Sequence, residues 1–273
     1  MIDIIVSAYN QEKYLVKCLS SIINQEIEIN IIVINPKPTK SYLQIIKKFQ
    51  NKVNTTIHKI DIGCADGLNN AIPFLKNDHS LVLNGDDYLI KNSLSKSIKY
   101  LNNDFDILIG WCILRDDTNN SIKAGRPYAF TLKKLIYGLS WIPHPSTIYK
   151  NIIFKKGYKF NKYNKLHWDT ELLLDLYLGR MKFFYVNDYF SVFRIHDTSL
   201  TNQLNSNNRS NKLNKIRYKI KNSYFYKYKN RRMNFFDIFL INISSFLFRI
   251  YRFLTEKFTI NSKKNIIKLR DLI

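Results

Sequence analysis

Two adjacent carboxylates, Asp86 and Asp87, follow the apolar run Ser80-Leu81-Val82-Leu83 after a single Asn84-Gly85 step. Acids delivered to the rim of a sheet by a buried strand present hard oxygen ligands, and a divalent cation held there can bridge protein and diphosphate. The same Asn-Gly-Asp-Asp run also serves as plain strand-to-helix punctuation, so the pair needs support from elsewhere in the chain. A second acidic pair, Asp169 and Glu171, opens a helical pattern over Thr170 to Leu178. Such carboxylates act as general bases or as helix caps. Two positions apart on a helix they point roughly 200° apart, so only one faces a given substrate unless the helix starts between them.

The elements that must position these groups are legible in the apolar pattern. Ile2 to Ser7 and Ile29 to Ile34 are β-branched runs, separated by Tyr14, Leu15, Cys18, Leu19, Ile22 and Ile23 at helical spacing. A second unit follows: helix Tyr42 to Phe49, strand Thr55 to Ile60, a Gly-containing loop, helix Leu68 to Leu75, and strand Ser80 to Leu83. Strands alternating with helices predict an α/β fold, a Rossmann-like and mostly parallel sheet with helices on both faces. Ligands of such sheets settle beyond the carboxyl ends of the strands, where Ser7-Ala8-Tyr9-Asn10, Asn35, Asp61 to Asp66 and Asp86-Asp87 are expected. From Phe105 the pattern is mixed, with strand Asp106 to Ile113, a turn over Asp116 to Asn120, the run His144 to Tyr149, and strands near Phe183 to Val186 and Tyr189 to Ile195.

A chain of 273 residues with 45% hydrophobic content has room for one α/β domain and an appendage. The net charge of +22 would point to a polyanion, but it is concentrated in Arg209 to Lys221 and Lys227 to Arg232, and Asn, Ile and Lys abound throughout. Three scattered cysteines, Cys18, Cys64 and Cys112, lack the spacing of a disulfide framework or a zinc site and suggest a reducing compartment. The opening apolar run is short and interrupted by Asp3, so it reads as a core strand rather than a signal peptide.

Four blocks together resemble family 2 glycosyltransferases of the GT-A fold, of the bacterial polysaccharide, O-antigen or capsule assembly type. They are Ile4 to Asn10 with Tyr14-Leu15 and Leu19 to Ile22; Asp61 to Ile72; Leu83 to Asp87; and His144-Pro145-Ser146 with Trp168 to Glu171. The resemblance spans roughly residues 2 to 201. It implies an inverting hexosyltransferase that moves a hexose or N-acetylhexosamine from a nucleotide-diphosphate sugar, UDP-sugar favoured, to a lipid-linked saccharide. Mn2+ or Mg2+ is the implied cofactor, held by Asp87 and Asp86. The implied donor contacts are Ser7, Ala8, Tyr9, Asn10, Asn35, Asp61, Gly63, Asp66, Asn69, Asp86 and, from a late Arg-x-His element, Arg194 and His196. Asp169 is the implied base with Glu171 as the alternative, and His144 and Trp168 lie on the acceptor side. Ile34-Asn35-Pro36 stands where the family usually has Asp-Asp-Gly-Ser, a departure that bears on the base recognised.

The expected organisation is a catalytic domain over 1–204, divided into a nucleotide-sugar half (1–110) and an acceptor half (111–204), then a basic helical extension over 205–273. Within the extension, the aromatic-rich stretch to Leu254 is broken by Asp237, Arg249 and Arg252 and falls short of the roughly 20 uninterrupted apolar residues a span requires. Next to a Lys- and Arg-rich segment it reads as an interfacial helix on an anionic membrane surface, peripheral on the inner face of the cytoplasmic membrane; a homodimer contact is the alternative. Two rival classes remain: a non-catalytic basic protein binding membrane or nucleic acid on an α/β scaffold, and a nucleotidyltransferase. The first leaves the Asp86-Asp87 constellation unexplained, so no nucleic-acid partner is expected. The second calls for a Gly-rich loop with a Lys near the N-terminus, which Ser7 to Glu12 lacks.

Overall fold

In the computed structural model, the residues described are 1–128, 141–199, 233–255 and 268–272, with isolated positions between them. The basic stretches around 209–221 and 227–232 and the boundary near 205 lie outside them. Contacts divide the chain into two units: Met1–Ile113 with Ile142–Phe193 and Leu272–Ile273, and Leu114–Trp141 with Arg194–Asp271.

The first unit is built on strands β1 (Ile2–Ser7), β2 (Ile29–Ile34), β3 (Thr55–Ile57), β4 (His79–Asn84), β5 (Tyr88–Leu89), β6 (Ile107–Asp116), β8 (Thr147–Lys150) and β9 (Phe183–Ile195), of which β6 and β9 run on into the second unit. Their order is β3-β2-β1-β4-β8-β6-β9-β5. Pairing is parallel from β3 through β4, as the alternating pattern predicts. Beyond β4 it turns antiparallel, β4 with β8, β8 with β6, and β5 with β9. Helices also separate strands here, α4 (Ser93–Leu101) between β5 and β6 and the helix Trp168–Leu178 between β8 and β9, but antiparallel neighbours need no crossover, so alternation in this half does not reveal strand direction.

Continuous apolar runs fit strands covered on both faces. Ile2, Ile4, Ile5 and Val6 of β1 are all buried, as are Ile31, Ile32, Val33 and Ile34 of β2. Helix α1 (Glu12–Ile23) turns Leu15, Cys18, Leu19 and Ile22 onto this core, and α2 (Lys40–Lys48) adds Tyr42 and Ile45. Thr39 caps α2 by accepting from the Tyr42 amide at 3.1 Å. Strand β3 stops at Ile57, short of the expected Ile60, because His58 turns its ring back to the Asn35 carbonyl (3.2 Å) and Ile60 is exposed.

One charge sits inside the first strand. Asp3 is wholly buried and accepts from the side-chain amides of Asn30 (2.7 Å), Asn77 (2.9 Å) and Asn151 (2.7 Å) and from the backbone amides of Lys76 (3.1 Å) and Asn77 (3.0 Å). Amide donors saturate the carboxylate, which makes its burial tolerable and ties β1, β2 and the start of the Ile152–Lys155 helix (α5) together at the amino end of the sheet. That bracing lies opposite the carboxyl ends where the acids collect.

The second unit contains β7 (Ser121–Gly125), which pairs with β6 across a turn where Asp116 accepts from Thr118 and Asn119. Its long helix α7 (Phe235–Thr255) opens on reciprocal bonds of 2.9 Å between Asn234 and Asp237, each side chain taking the other's backbone amide. Ile241 is buried, while Tyr128 meets Phe248 edge-on at 4.9 Å. Among the described residues no helix is long and apolar enough to cross a membrane.

Candidate active site

Strands β1 and β4 are neighbours, so their loops emerge together. The Gly85 amide donates to the Ser7 carbonyl at 2.7 Å, and the Ala8 amide donates to the Ile34 carbonyl at 2.9 Å, stitching three strand ends. A Cβ on Gly85 would lie 2.9 Å from the Gln11 Cβ and 3.1 Å from the Ser7 oxygen, so this crossing admits only glycine without displacement. Asn35, wholly buried, reaches the Ala8 carbonyl at 3.5 Å and accepts from the Lys37 amide at 3.1 Å. Tyr9 is left exposed beside Asn10, which takes the left-handed conformation (φ 57°) that Asn tolerates.

The Asp61 loop and α3 (Cys64–Ala71) supply the next wall. The helix starts earlier than the Leu68 of the sequence pattern, with Gly63 at its cap in a conformation (φ 141°) that L side chains avoid. Asp66 is thus inside the first turn rather than at the cap, and it accepts from the Ile62 amide at 3.1 Å. Asp61 accepts from the Gly63 amide at 2.9 Å. Burial pushes the Asp61 carboxyl above the usual carboxylate range; the Gly63 bond opposes this, the Asp66 charge adds to it, and Lys165 opposes it. Asn69 holds the Phe160 backbone through both ends of its amide, at 2.7 and 3.0 Å, a contact that braces α3 against that loop.

Cys64 records what shares the crevice with it. Its sulfur lies 3.6 Å from the Ser7 hydroxyl, and its thiol is pushed up to about 11, by burial first and then by the charges of Asp61, Asp169 and Asp86. Acids from the β3-α3 loop, the β4 end and α6 (Trp168–Leu178) therefore act on one point next to β1. No local motif marks Cys64; a scattered cysteine becomes a reporter only once the fold brings these loops together.

The adjacent acids differ in access. Asp86 is partly exposed and its charge reaches Cys64, whereas Asp87 is 1% exposed, its amide donates to the Asn84 carbonyl at 3.0 Å, and its charge acts on the buried Cys112 thiol, which burial raises well above its ordinary value. Among the described residues no three His, Cys, Asp or Glu side chains are grouped as a metal cage. One or two carboxylates at a strand end fit an ion that takes its remaining oxygens from a bound diphosphate, as Mg2+ commonly does.

Helix α6 begins at Trp168, before both of its acids, so Asp169 and Glu171 diverge as the helical geometry requires. Glu171 accepts from the Asn161 amide with both oxygens (3.0 Å each) and from Asn164 at 2.7 Å. It braces the loop whose Lys165 donates to the Ile62 carbonyl beside Asp61. Asp169 accepts, among the described residues, from its neighbour Thr170, at 2.7 Å from the amide. Sequence reasoning passed over Lys165, whose partner lies about a hundred positions away and has no local signature. His144 and Trp168 meet edge-on at 4.7 Å. Arg194 and His196 belong to the second unit, both buried, with the Arg194 Nε 3.4 Å from Asp117 and the His196 Nδ1 3.0 Å from the Thr198 hydroxyl.

The chain is 26% identical to the uncharacterized glycosyltransferase MJ1057 of Methanocaldococcus jannaschii over 99% of its own length and 94% of that protein's. It is 28% identical to the poly(ribitol-phosphate) beta-N-acetylglucosaminyltransferase TarS of Staphylococcus aureus over 36% of this chain and only 18% of TarS. The fold matches TarS 1-349 in complex with UDP-GlcNAc with a TM-score of 0.60 at 21% identity, covering 72% of this chain and 59% of that one. It matches the mannosyltransferase PcManGT from Pyrobaculum calidifontis, in complex with GDP-Man and Mn2+, with a TM-score of 0.59 at 10% identity, covering 90% and 69%. The model of glycosyl transferase family 2 spans residues 3–170, more than half of the chain, and the protein is a family 2 glycosyltransferase of the GT-A fold.

Proposed function

We propose that the protein is an inverting, metal-dependent transferase that moves a hexose or N-acetylhexosamine from a UDP-sugar to a lipid-linked saccharide in the assembly of a cell-surface polymer. The observation that carries this reading is the action of Asp61, Asp86 and Asp169 on one point, the Cys64 thiol beside Ser7 at the carboxyl ends of β1 and β4. The TarS neighbour bound to UDP-GlcNAc supports the donor class, and the Mn2+ in PcManGT supports the ion. In this reading the catalytic domain covers 1–204 and the extension 205–273.

Exposed Tyr9 packs on the base, with Ser7, Ala8, Asn10 and Asn35 shaping its seat. Asp61, with its neighbours Gly63 and Asp66, contacts donor hydroxyls. Asp87, with Asp86 beside it, would hold Mn2+ or Mg2+ at the end of β4. When bound, the ion offsets charge on the departing phosphate oxygen. Asp169 takes the proton of the acceptor hydroxyl as that oxygen attacks the anomeric carbon from the face opposite the nucleotide, which gives inversion in one displacement.

The extension is proposed to rest on an anionic membrane at the inner face of the cytoplasmic membrane. Phe235, Phe239, Ile243, Phe246, Ile250 and Phe253 recur every three or four positions on α7 and are all exposed. An exposed aromatic and aliphatic face beside a Lys- and Arg-rich sequence suits a lipid interface. Incubation with a panel of UDP- and GDP-sugars, with and without Mn2+, tests the donor assignment: metal-dependent release of UDP from one UDP-sugar supports it, and turnover of GDP-sugars alone overturns the uridine assignment.

A further inference from the structure

Beside the proposed base, three polar groups of the first unit gather with hydrogen-bonding capacity unused among the described residues. His144 opens the short turn His144–Ser146 at the head of β8; it is 7% exposed, yet neither ring nitrogen has a partner. The buried Tyr149 hydroxyl on β8 also lacks one, and its ring centroid lies 6.5 Å from the His144 ring. On the other side Trp168 packs edge-on against His144 at 4.7 Å, and the next residue along α6 is Asp169. Both bonds to Asp169, from the Thr170 amide and hydroxyl, fall on Oδ1, which leaves Oδ2 without a donor from the described residues.

Folded proteins leave few buried polar groups unpaired, because each such group forfeits its hydration without replacement. Were His144 there only to fill space against Trp168, a phenylalanine would fill it better. The charge that faces the imidazole is that of Asp169: burial pushes His144 below its ordinary value, and Asp169 pulls it partly back. A neutral imidazole has one N–H donor, and the Tyr149 hydroxyl, driven upward by burial and by Asp169, stays protonated as a second.

We propose that His144 is a positioning residue for Asp169: its imidazole and the Tyr149 hydroxyl supply the hydrogen bonds, direct or through one enclosed water, that hold the carboxylate turned toward the acceptor. The proposal rests on Asp169 being the base, and the two can fail separately. His144→Phe keeps the ring and its contact with Trp168 but removes the nitrogens; His144→Gln keeps a donor without the ring. With UDP-GlcNAc and Mn2+ as the probe, His144→Phe is expected to equal or exceed the wild-type Tm while kcat for UDP release falls at least tenfold at unchanged donor KM. His144→Gln should recover part of that loss. A histidine that only packs would give wild-type kcat in His144→Phe, and that result, with Asp169→Asn inactive, overturns the proposal and leaves the base intact. Normal turnover by Asp169→Asn overturns the base itself. A second measurement needs no donor: the His144 ring titration followed by nuclear magnetic resonance should move to lower pH in Asp169→Asn, and an unmoved titration counts against the coupling.

Discussion

At the residue scale, the proposed division of labour between Asp169 and Glu171 rests on what each carboxylate already holds. Three amide bonds from Asn161 and Asn164 occupy Glu171, while Asp169, among the described residues, accepts from Thr170 beside it. Asp169→Asn is therefore expected to lower kcat by at least about a hundredfold, the scale of a lost general base, with donor affinity retained. Glu171→Gln should chiefly loosen the loop that carries Lys165 and raise KM; an inactive Glu171→Gln beside an active Asp169→Asn would exchange the two roles. Cys64 offers a chemical probe of the same crevice. With its thiol pushed up to about 11, little thiolate exists at neutral pH, so iodoacetamide should modify Cys64 slowly at pH 7.5 and progressively faster as pH approaches 11. Fast labelling at pH 7.5 would show that burial and the surrounding acids do not raise the thiol as described.

At the element scale, the close crossing of β1 and β4 sets the spacing of the whole rim. Gly85→Ala must displace either Gln11 or the Ser7 carbonyl, so a loss of about 1–3 kcal/mol of stability is expected, together with weaker donor binding, by denaturant titration and calorimetry. Unchanged binding would mean that the Ser7 and Asp86 loops adjust independently. How much of this was legible varies by element. Strands β1 and β2 have the bounds their apolar runs indicate, because a strand covered on both faces leaves a continuous hydrophobic signature. Helix α3 was misplaced because its first turn, Cys64-Ala65-Asp66-Gly67, has little apolar period and is fixed by the Gly63 conformation and the Asp61 and Asp66 side chains. The antiparallel half gave no direction signal. The Asp86-Asp87 and Asp169-Glu171 clusters were visible as sequence, but their inequality was not: it depends on Cys112, Asn161 and Asn164, contacts made only after folding.

At the scale of the whole molecule, Asp61, Asp86 and Asp169 fall in one unit of the chain and the long exposed helix in the other. Replacing Phe239, Ile243, Phe246 and Ile250 by serine should abolish flotation with anionic liposomes while leaving UDP-sugar binding unchanged. Raised salt should weaken the wild-type association, because the charged part of the attraction is screened. Equal flotation of the two proteins would instead assign this face to a second copy of the chain, to be seen as a loss of dimer in sedimentation.

The central claim is that a divalent ion held by Asp87 and Asp86 joins the protein to a nucleotide sugar in the crevice beside Ser7 and Cys64. Isothermal titration of UDP-GlcNAc into the full chain, in Mn2+ and in EDTA, for wild type and Asp86→Ala, tests it most directly. The account predicts binding to the wild type in Mn2+ that weakens at least tenfold in EDTA, and an Asp86→Ala protein that binds weakly and equally in both. Equal affinity of the wild type in Mn2+ and EDTA, unaffected by Asp86→Ala, would contradict it.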